Sequence, residues 1–507
     1  MASIDIPIAL ATAIFLFVLL RRLSSKPAHH PNLPPGPPAD PIIGHFRHTR
    51  MPHQENVFHD WAKIYGDVIC LQFLGRTVVV LDSFEAANEL LNKRGSNYSC
   101  RLQSAVFELM GWDASLPFLK YGKQFVKHRR FMYQQLNRKQ SLSYRSIQLE
   151  ESRTLVKSLL SNPKAFERHL ERFSTSVIMR LAYGHQITSS DDPFLKVIQD
   201  FLDTLDGAGI TGNTLIDFFP FLQRLPSWFP GTHYANWARS RRWAVRQLYD
   251  YPFNLTRNEM SNGDAKHCFL TGLLERSTAN DEDDVEDIKG AAATLHTAGG
   301  ETTWAALSVF IMAMVLYPEC QRKAHQELDD VIGTDRLPNF SDQSVLPYIE
   351  CVVQEALRWK PVVILGVPHV SLEDDVYKGM LIPKGSIVIA NAGGMRFDEG
   401  VYAEPRTFNP DRFLPKPYGN AEPPFDAAFG FGRRICPGRH VAEASLWIAI
   451  ASMLASFDFC KAVGEDGKEI TPDPFVGGLA RHAKPFPCVI RPRFGKEALT
   501  ACISTSH

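Results

Sequence analysis

The run Phe429-Gly430-Phe431-Gly432-Arg433-Arg434-Ile435-Cys436-Pro437-Gly438 decides how this chain is read. One cysteine stands among glycines that free the backbone to turn tightly, and a tight turn can aim N–H groups at the sulfur and shelter a thiolate. After Gly438 the pattern becomes helical over 439–455, so the sulfur is expected near a helix N-terminus, where the dipole lowers its pKa. Arg434 supplies a planar cation that never deprotonates, and Phe429 can cover one face of the sulfur. These are the needs of a haem held through an axial thiolate, the ligand that donates electron density and favours O–O cleavage. The cation would meet a haem propionate. Cys436 is therefore the expected iron ligand, with Phe429, Gly432, Arg434 and Gly438 as cofactor-binding residues. A buried structural cysteine in a glycine-rich loop is the competing reading, and it leaves the rest of the pattern unexplained.

Upstream, the apolar run 285–316 predicts one long helix ending before Pro318. Gly299 and Gly300 lie inside it, each costing about 1 kcal/mol relative to alanine. The expected reason is close approach of a ligand and a helix able to open. Glu301 and Thr302 follow, an acid beside a hydroxyl, suited to relaying protons and holding water while O2 is reduced. They are the expected catalytic residues. His296 is read as ordinary packing.

The first run fits the haem-binding pattern F-x-x-G-x-R-x-C-x-G at every fixed position, and on it the chain resembles the cytochrome P-450 family. Three more stretches follow in the family's order. Ala298-Gly299-Gly300-Glu301-Thr302 resembles its oxygen-activation motif, Glu355-Ala356-Leu357-Arg358 its E-x-x-R helix, and Pro410-Asp411-Arg412-Phe413 its P-E-R-F element. The resemblance implies a mainly α fold with small β-sheets, heme b (iron protoporphyrin IX) with an axial Cys thiolate, and electrons from NADPH through a cytochrome P-450 reductase. It implies insertion of one atom of O2 into a lipophilic small-molecule substrate. Glu355, Arg358 and Arg412 would form a structural network behind the cysteine loop, a buried carboxylate shared by two guanidinium groups, tolerated only if fully paired. Residues 121–130 resemble the W-x-x-x-R helix with Phe125 at the tryptophan position, so an N–H donor to a propionate is lost. Arg129 is expected to remain a propionate partner, with His128 the weaker candidate. Asn391-Ala392-Gly393-Gly394 lacks a tryptophan that relatives carry near Gly393, which is expected to loosen the segment before Arg412.

The 507 residues carry formal net charge +0, and nothing in that total points to nucleic acid. Nine cysteines without a CxxC pair fit a reduced, cytosol-facing protein. Residues 4–20 are nearly all apolar and run into Arg21 and Arg22. The charges follow the apolar run, which favours a transmembrane anchor over a cleaved signal and leaves the remainder in the cytosol. The proline-rich stretch 31–38 reads as a stiff connector. The expected organisation is an anchor at 1–22, a hinge at 23–45 and a haem-thiolate catalytic domain at 46–507, held single-pass in the endoplasmic reticulum membrane. The sequons at Asn97, Asn254 and Asn339 should then stay unmodified.

Residues 67–81 read as a hairpin turning at Gly75-Arg76. Short strands are expected at 387–390 and near 487–491, and helices at 319–332 and 348–359. Phe218, Phe219, Phe221, Leu222, Leu225, Trp228 and Phe229 crowd a proline-punctuated stretch that suits either a membrane contact or the core. Lys123, Lys127, Arg130, Arg138, Lys139, Arg433 and Arg439 form a candidate docking face for an acidic reductase. Residues 101–118, 292–299, 362–367 and 476–479 are expected to line an apolar pocket. The stretch 354–369 looks most like fungal secondary-metabolism members, which implies a terpenoid, polyketide or aromatic substrate, terpenoid preferred. Two rivals are a haem-thiolate isomerase or dehydratase needing no O2, against which the Glu301-Thr302 pair argues, and a non-catalytic haem protein.

Overall fold

The structure is a computed structural model that describes residues 32–41, 43–51, 53–187, 192–208, 216, 220–226, 228–229, 232–276, 282–473 and 480–505. The expected anchor, the start of the hinge, Phe218, Phe219 and the pocket stretch 476–479 lie outside these residues. In chain order the longer helices are α1 Gln54–Tyr65, α2 Lys123–Leu136, α3 Arg145–Ser161, α4 Phe166–Tyr183, α5 Pro193–Ala208, α6 His233–Asn262, α7 Glu282–Leu316, α8 Pro318–Val331, α9 Pro347–Trp359, α10 Arg439–Ser456 and α11 Lys496–Thr505. The chain is mainly helical, as expected.

The helix α7 runs through the core. Among the described residues it alone is long and apolar enough to cross a membrane, yet most of it is buried in the protein. Ala305 to Val315 are apolar around the helix except Ser308, and α4, α9 and α10 cover them, the pattern of a fully surrounded core helix. It ends at Leu316 because Pro318 starts α8 at a position that needs no N–H partner.

The predicted hairpin is present as β1 Val68–Phe73 and β2 Arg76–Leu81, antiparallel from Val68↔Leu81 to Phe73↔Arg76. Its turn is Leu74-Gly75, one residue earlier than expected. Both residues have positive φ (48° and 82°), the two-residue turn whose twist suits a hairpin. The sequence did not reveal that the hairpin belongs to a five-stranded sheet. There β3 Cys100–Arg101 pairs with β4 His369–Val370 and sets Arg101 opposite His369, while β5 Ile387–Ala390 pairs parallel with β2, giving the order β1-β2-β5-β4-β3. The strand expected near 487–491 is Cys488–Pro492, paired with Phe457–Lys461, which the sequence reading missed.

The described end of the hinge is docked rather than free. Cys70 N donates to Pro35 O at 2.9 Å, and a Cβ on Gly36 would fall 2.1 Å from Cys70 O. The aromatic stretch divides. Leu222 is buried and Leu225 and Phe229 pack on the same cluster, whereas Phe221 and Trp228 are 62% and 79% exposed.

Candidate active site

The cysteine loop is built by backbone hydrogen bonds. Cys436 N donates to Phe429 O at 2.8 Å and Arg434 N to Phe431 O at 3.1 Å, closing the turn on itself. The glycines with positive φ are Gly430 (77°) and Gly432 (54°), so Gly430 joins the set named from sequence. Gly438, with φ −87°, caps α10 instead. Its N–H points at the sulfur and lowers the thiol pKa, and a Cβ there would touch Sγ at 3.9 Å. At Gly432 a Cβ would stand 2.2 Å from Leu91 O. Gly432→Ala should therefore destabilise the protein by about 1–3 kcal/mol from backbone strain alone, with the clash in addition, read as a lowered thermal midpoint. An unchanged midpoint would show that the loop can relax away from Leu91.

Protein atoms surround Cys436 within a wide radius, yet its side chain is accessible, so it faces an internal cleft. Burial pushes its thiol up, against the Gly438 N–H and the Arg129 guanidinium. The N–H at the helix start lowers the pKa as expected, but burial outweighs it. A sulfur in this place becomes thiolate when a metal cation displaces its proton.

Several arginines near the loop bind backbone carbonyls rather than acids. Arg129 Nη1 donates to Ile435 O at 2.7 Å. Arg434 spreads its fork over Ser99 O (2.8 Å), Leu116 O (3.2 Å) and Leu119 O (2.6 Å). Arg101, missed in the sequence, donates to Pro117 O at 3.0 Å and to Val367 O. His369, also missed, meets Tyr98 O at 2.7 Å. Among the described residues, none of these three guanidinium groups makes an ion pair. Burial lowers all three arginines, Arg434 to about 10, with Arg434 further lowering Arg101 and Arg129 further lowering Arg434. Burial, then Arg101, pushes the His369 ring well below its ordinary value. Such a cluster favours an anionic ligand, and the two propionates of a haem fit it.

Phe125 resolves one departure from the family pattern. Its buried ring lies under the Arg434 guanidinium, 3.7 Å from ring centroid to carbon, so a cation–π stack stands where an indole N–H was expected. His128 has one ring nitrogen committed elsewhere: its Nε2 is 3.0 Å from Asp287 Oδ1 on α7. Although burial raises Asp287, bonds from His128, Lys127 and Gln124 hold its carboxyl well below the usual range.

The Glu355 network is complete and larger than its motif. Glu355, Arg358 and Arg412 are all 0% exposed. Glu355 receives Arg358 Nε at 2.7 Å and Nη2 at 2.8 Å, Arg412 Nε at 3.1 Å and Asn409 N at 2.8 Å. Glu422, not foreseen, takes Arg412 Nη1 at 2.7 Å. Two carboxylates thus balance two guanidinium groups, and the spare donors reach backbone carbonyls of Arg396, Pro405, Ala403 and Thr407. The segment they bind leads directly into the cysteine loop. From the other side, Gln148 of α3 donates to Val441 O and Ser445 Oγ, both at 2.9 Å, fixing the first turns of α10.

The Gly393 departure does not loosen its segment. A Cβ there would lie 2.7 Å from Glu55 Cβ. Buried Asn391 donates to Glu55 O (2.9 Å) and Asp82 Oδ1 (2.6 Å). The glycines let α1 pack where a large side chain would stand.

On α7, Thr302 Oγ1 donates to Ala298 O at 2.7 Å. Glu301 Oε1 is 3.2 Å from His482 Nε2. Gly299 corrects the sequence reading: a Cβ there would fall 2.5 Å from Ile178 Cδ1 of α4. The glycine serves close helix packing, and α7 continues through it without a break. Ala292 and Leu295 share one apolar cluster with Leu116, Phe125 and Val441, which brings α7, α2 and the start of α10 around one space. Ala114 and Leu116 lie on α7 at Gly290 and Thr294, and Val367 on Arg101, so three of the four expected pocket stretches converge.

The cationic face is smaller than expected. Lys127 is committed to Asp284 and Asp287, and Arg439 to Glu443 (2.7 Å) and Asp426 (2.8 Å). Lys123, Arg130, Arg138 and Lys139 remain exposed beside Val126 and Tyr133.

The cytochrome P-450 family model matches residues 34–488. The chain is 38% identical over 469 residues (91% of this chain, 89% of the relative) to cytochrome P-450 monooxygenase 136 of Postia placenta. It is 36% identical over 508 residues (99% and 98%) to monooxygenase 176 of the same fungus, and 37% identical over 500 residues (97% and 92%) to monooxygenase claR of Ampulloclitocybe clavipes. Its class is that of a haem-thiolate monooxygenase. The chain belongs to the cytochrome P-450 family.

Proposed function

We propose that this chain is a membrane-anchored monooxygenase of fungal secondary metabolism, with Cys436 as iron ligand, that oxidises a lipophilic terpenoid. The observation that carries the site assignment is the set Arg101, Arg129, Arg434 and His369, which among the described residues makes no ion pair, near the accessible Cys436 sulfur. Arg101, Arg129 and Arg434 would hold the haem propionates, with His369 beside them, Cys436 would hold the iron, and Phe429 and Gly432 would shape the cysteine loop. When bound, the haem would supply O2 activation. Thr302 Oγ1, anchored on Ala298 O, orients a water at the middle of α7, and the Glu301 carboxylate beside it gives and recovers protons. The apolar walls from 101–118, α7 and 362–367 exclude bulk water and favour a lipophilic substrate. The preference for a terpenoid rests on the resemblance of 354–369 to fungal secondary-metabolism members.

The test is expression in a host without competing oxidases, with metabolite profiling against terpenoid and aromatic polyketide precursors. Oxidation of polyketides alone would replace the terpenoid reading. With substrate and reductase, Thr302→Ala should cut product formed per NADPH by about 10²-fold while NADPH oxidation continues. Unchanged coupling would remove Thr302 from proton delivery. The anchor at 1–22 and hinge at 23–45 predict that the full chain sediments with endoplasmic reticulum membranes in glycosidase-insensitive form. A glycosidase-sensitive mass shift would reverse the topology.

Reductase docking belongs on Lys123, Arg130, Arg138 and Lys139, since Lys127 and Arg439 are internally neutralised. Arg130→Glu with Lys139→Glu should raise the reductase KM by about tenfold at low salt, and by less as salt rises. A KM equal to wild type at low salt would move the docking face elsewhere.

A further inference from the structure

His482 lies outside every motif read from the sequence, yet it is the side chain that holds Glu301. Its Nε2 is 3.2 Å from Glu301 Oε1, and its ring centroid is 4.4 Å from that of Trp304. The second ring nitrogen, Nδ1, is buried with no hydrogen-bond partner among the described residues, and so is Trp304 Nε1. Two such nitrogens on neighbouring rings call for a polar partner, because a buried unpaired donor or acceptor is costly. Arg481, next in the chain, is already spent on Glu55 in a two-point ion pair of 2.9 and 3.0 Å. Among the described residues the charged group hydrogen-bonded to the imidazole is thus Glu301 from α7.

We propose that His482 is the positioning residue of Glu301 and the inner end of a proton path entering at its Nδ1, beside Trp304. The Nε2–H donates to the Glu301 carboxylate and orients it. As Nε2 passes its proton to Glu301, Nδ1 takes one from a water held between the two rings. The ring stays neutral overall with its tautomer exchanged, and one proton has moved inward. Trp304 Nε1 helps hold that water. The inference rests on the assignment of Glu301 to proton delivery.

The test uses reductase-coupled holoenzyme and the variants Glu301→Gln, Trp304→Phe, His482→Gln and His482→Ala. Glutamine at 482 keeps a donor toward Glu301 but cannot relay a proton. His482→Gln should lose product per NADPH by about tenfold, raise the solvent isotope effect and keep the wild-type thermal midpoint. A second readout needs no turnover: in carbon-13 histidine-labelled, carbon-monoxide-bound ferrous enzyme, the His482 ring signals should move in Glu301→Gln, and signals that stay in place would overturn the contact. If Glu301→Gln leaves coupling intact, the parent assignment of Glu301 fails. If Glu301→Gln uncouples but His482→Gln matches wild type while His482→Ala is impaired, His482 is only structural and the relay is overturned. Product per NADPH unchanged in Trp304→Phe overturns the entry point.

Discussion

Cys436→Ala is expected to fold and to have no NADPH-driven turnover. The bonds that shape the loop are Cys436 N to Phe429 O, Arg129 to Ile435 O and the Arg434 fork, and none uses the thiol. Burial disfavours ionisation of the free thiol, so alanine removes no charge-assisted contact from the haem-free polypeptide. Its stability should change by less than about 1 kcal/mol. What disappears is the sulfur that would hold the iron, for which no neighbour substitutes: the other cysteines stand in other segments, and among the described residues no group of three or more His, Cys, Asp or Glu could hold a metal. Reductase-coupled turnover and haem-free thermal unfolding, measured together, check both halves. Residual NADPH-driven product would mean another residue holds the iron.

Glu355→Gln should be the most damaging single change away from the cleft, costing about 3–5 kcal/mol, the scale for breaking a buried ion pair. The carboxylate receives two bonds from Arg358, one from Arg412 and one from Asn409 N, all without solvent. An amide of the same shape offers one acceptor oxygen and two unwanted donors, leaving two buried guanidinium groups facing Glu422 alone. The segment between Ala403 and Glu422 should then detach from α9, and the cysteine loop with it. Thermal unfolding and haem retention after gel filtration measure this, and a variant that keeps both would mean that the loop is held from the α3 side. Acid should weaken the same network. Burial raises Glu422, but Arg412, Asn420 and the Ala403 amide bring its carboxyl below the ordinary value. Its contribution is therefore present above the unfolded carboxylate pKa and is lost as pH falls through its lower folded value.

The parts legible in the sequence were those whose chemistry is local. The cysteine loop and the Glu355–Arg358 pair are contiguous, and helices α7 to α10 declared themselves through apolar pattern and proline punctuation. What escaped was made by distant pairing. Arg101 and His369 become neighbours only because β3 pairs with β4. Glu422 meets Arg412 through an irregular loop without periodicity. Phe125 looked like a loss because the stack with Arg434 spans two segments. Gly299 looked like a site for a ligand because its reason, Ile178, lies on another helix. Counting charges along α2 overstated the docking face, since the acids that neutralise Lys127 belong to α7.

The most direct measurement is the difference spectrum of dithionite-reduced, carbon-monoxide-bound wild-type enzyme beside Cys436→His. Thiolate ligation predicts the strongly red-shifted Soret band in wild type, and in the histidine variant its replacement by the shorter-wavelength band of an imidazole-ligated haem. A wild-type spectrum without the red-shifted band, or a Cys436→His spectrum that keeps it, would contradict Cys436 as the iron ligand.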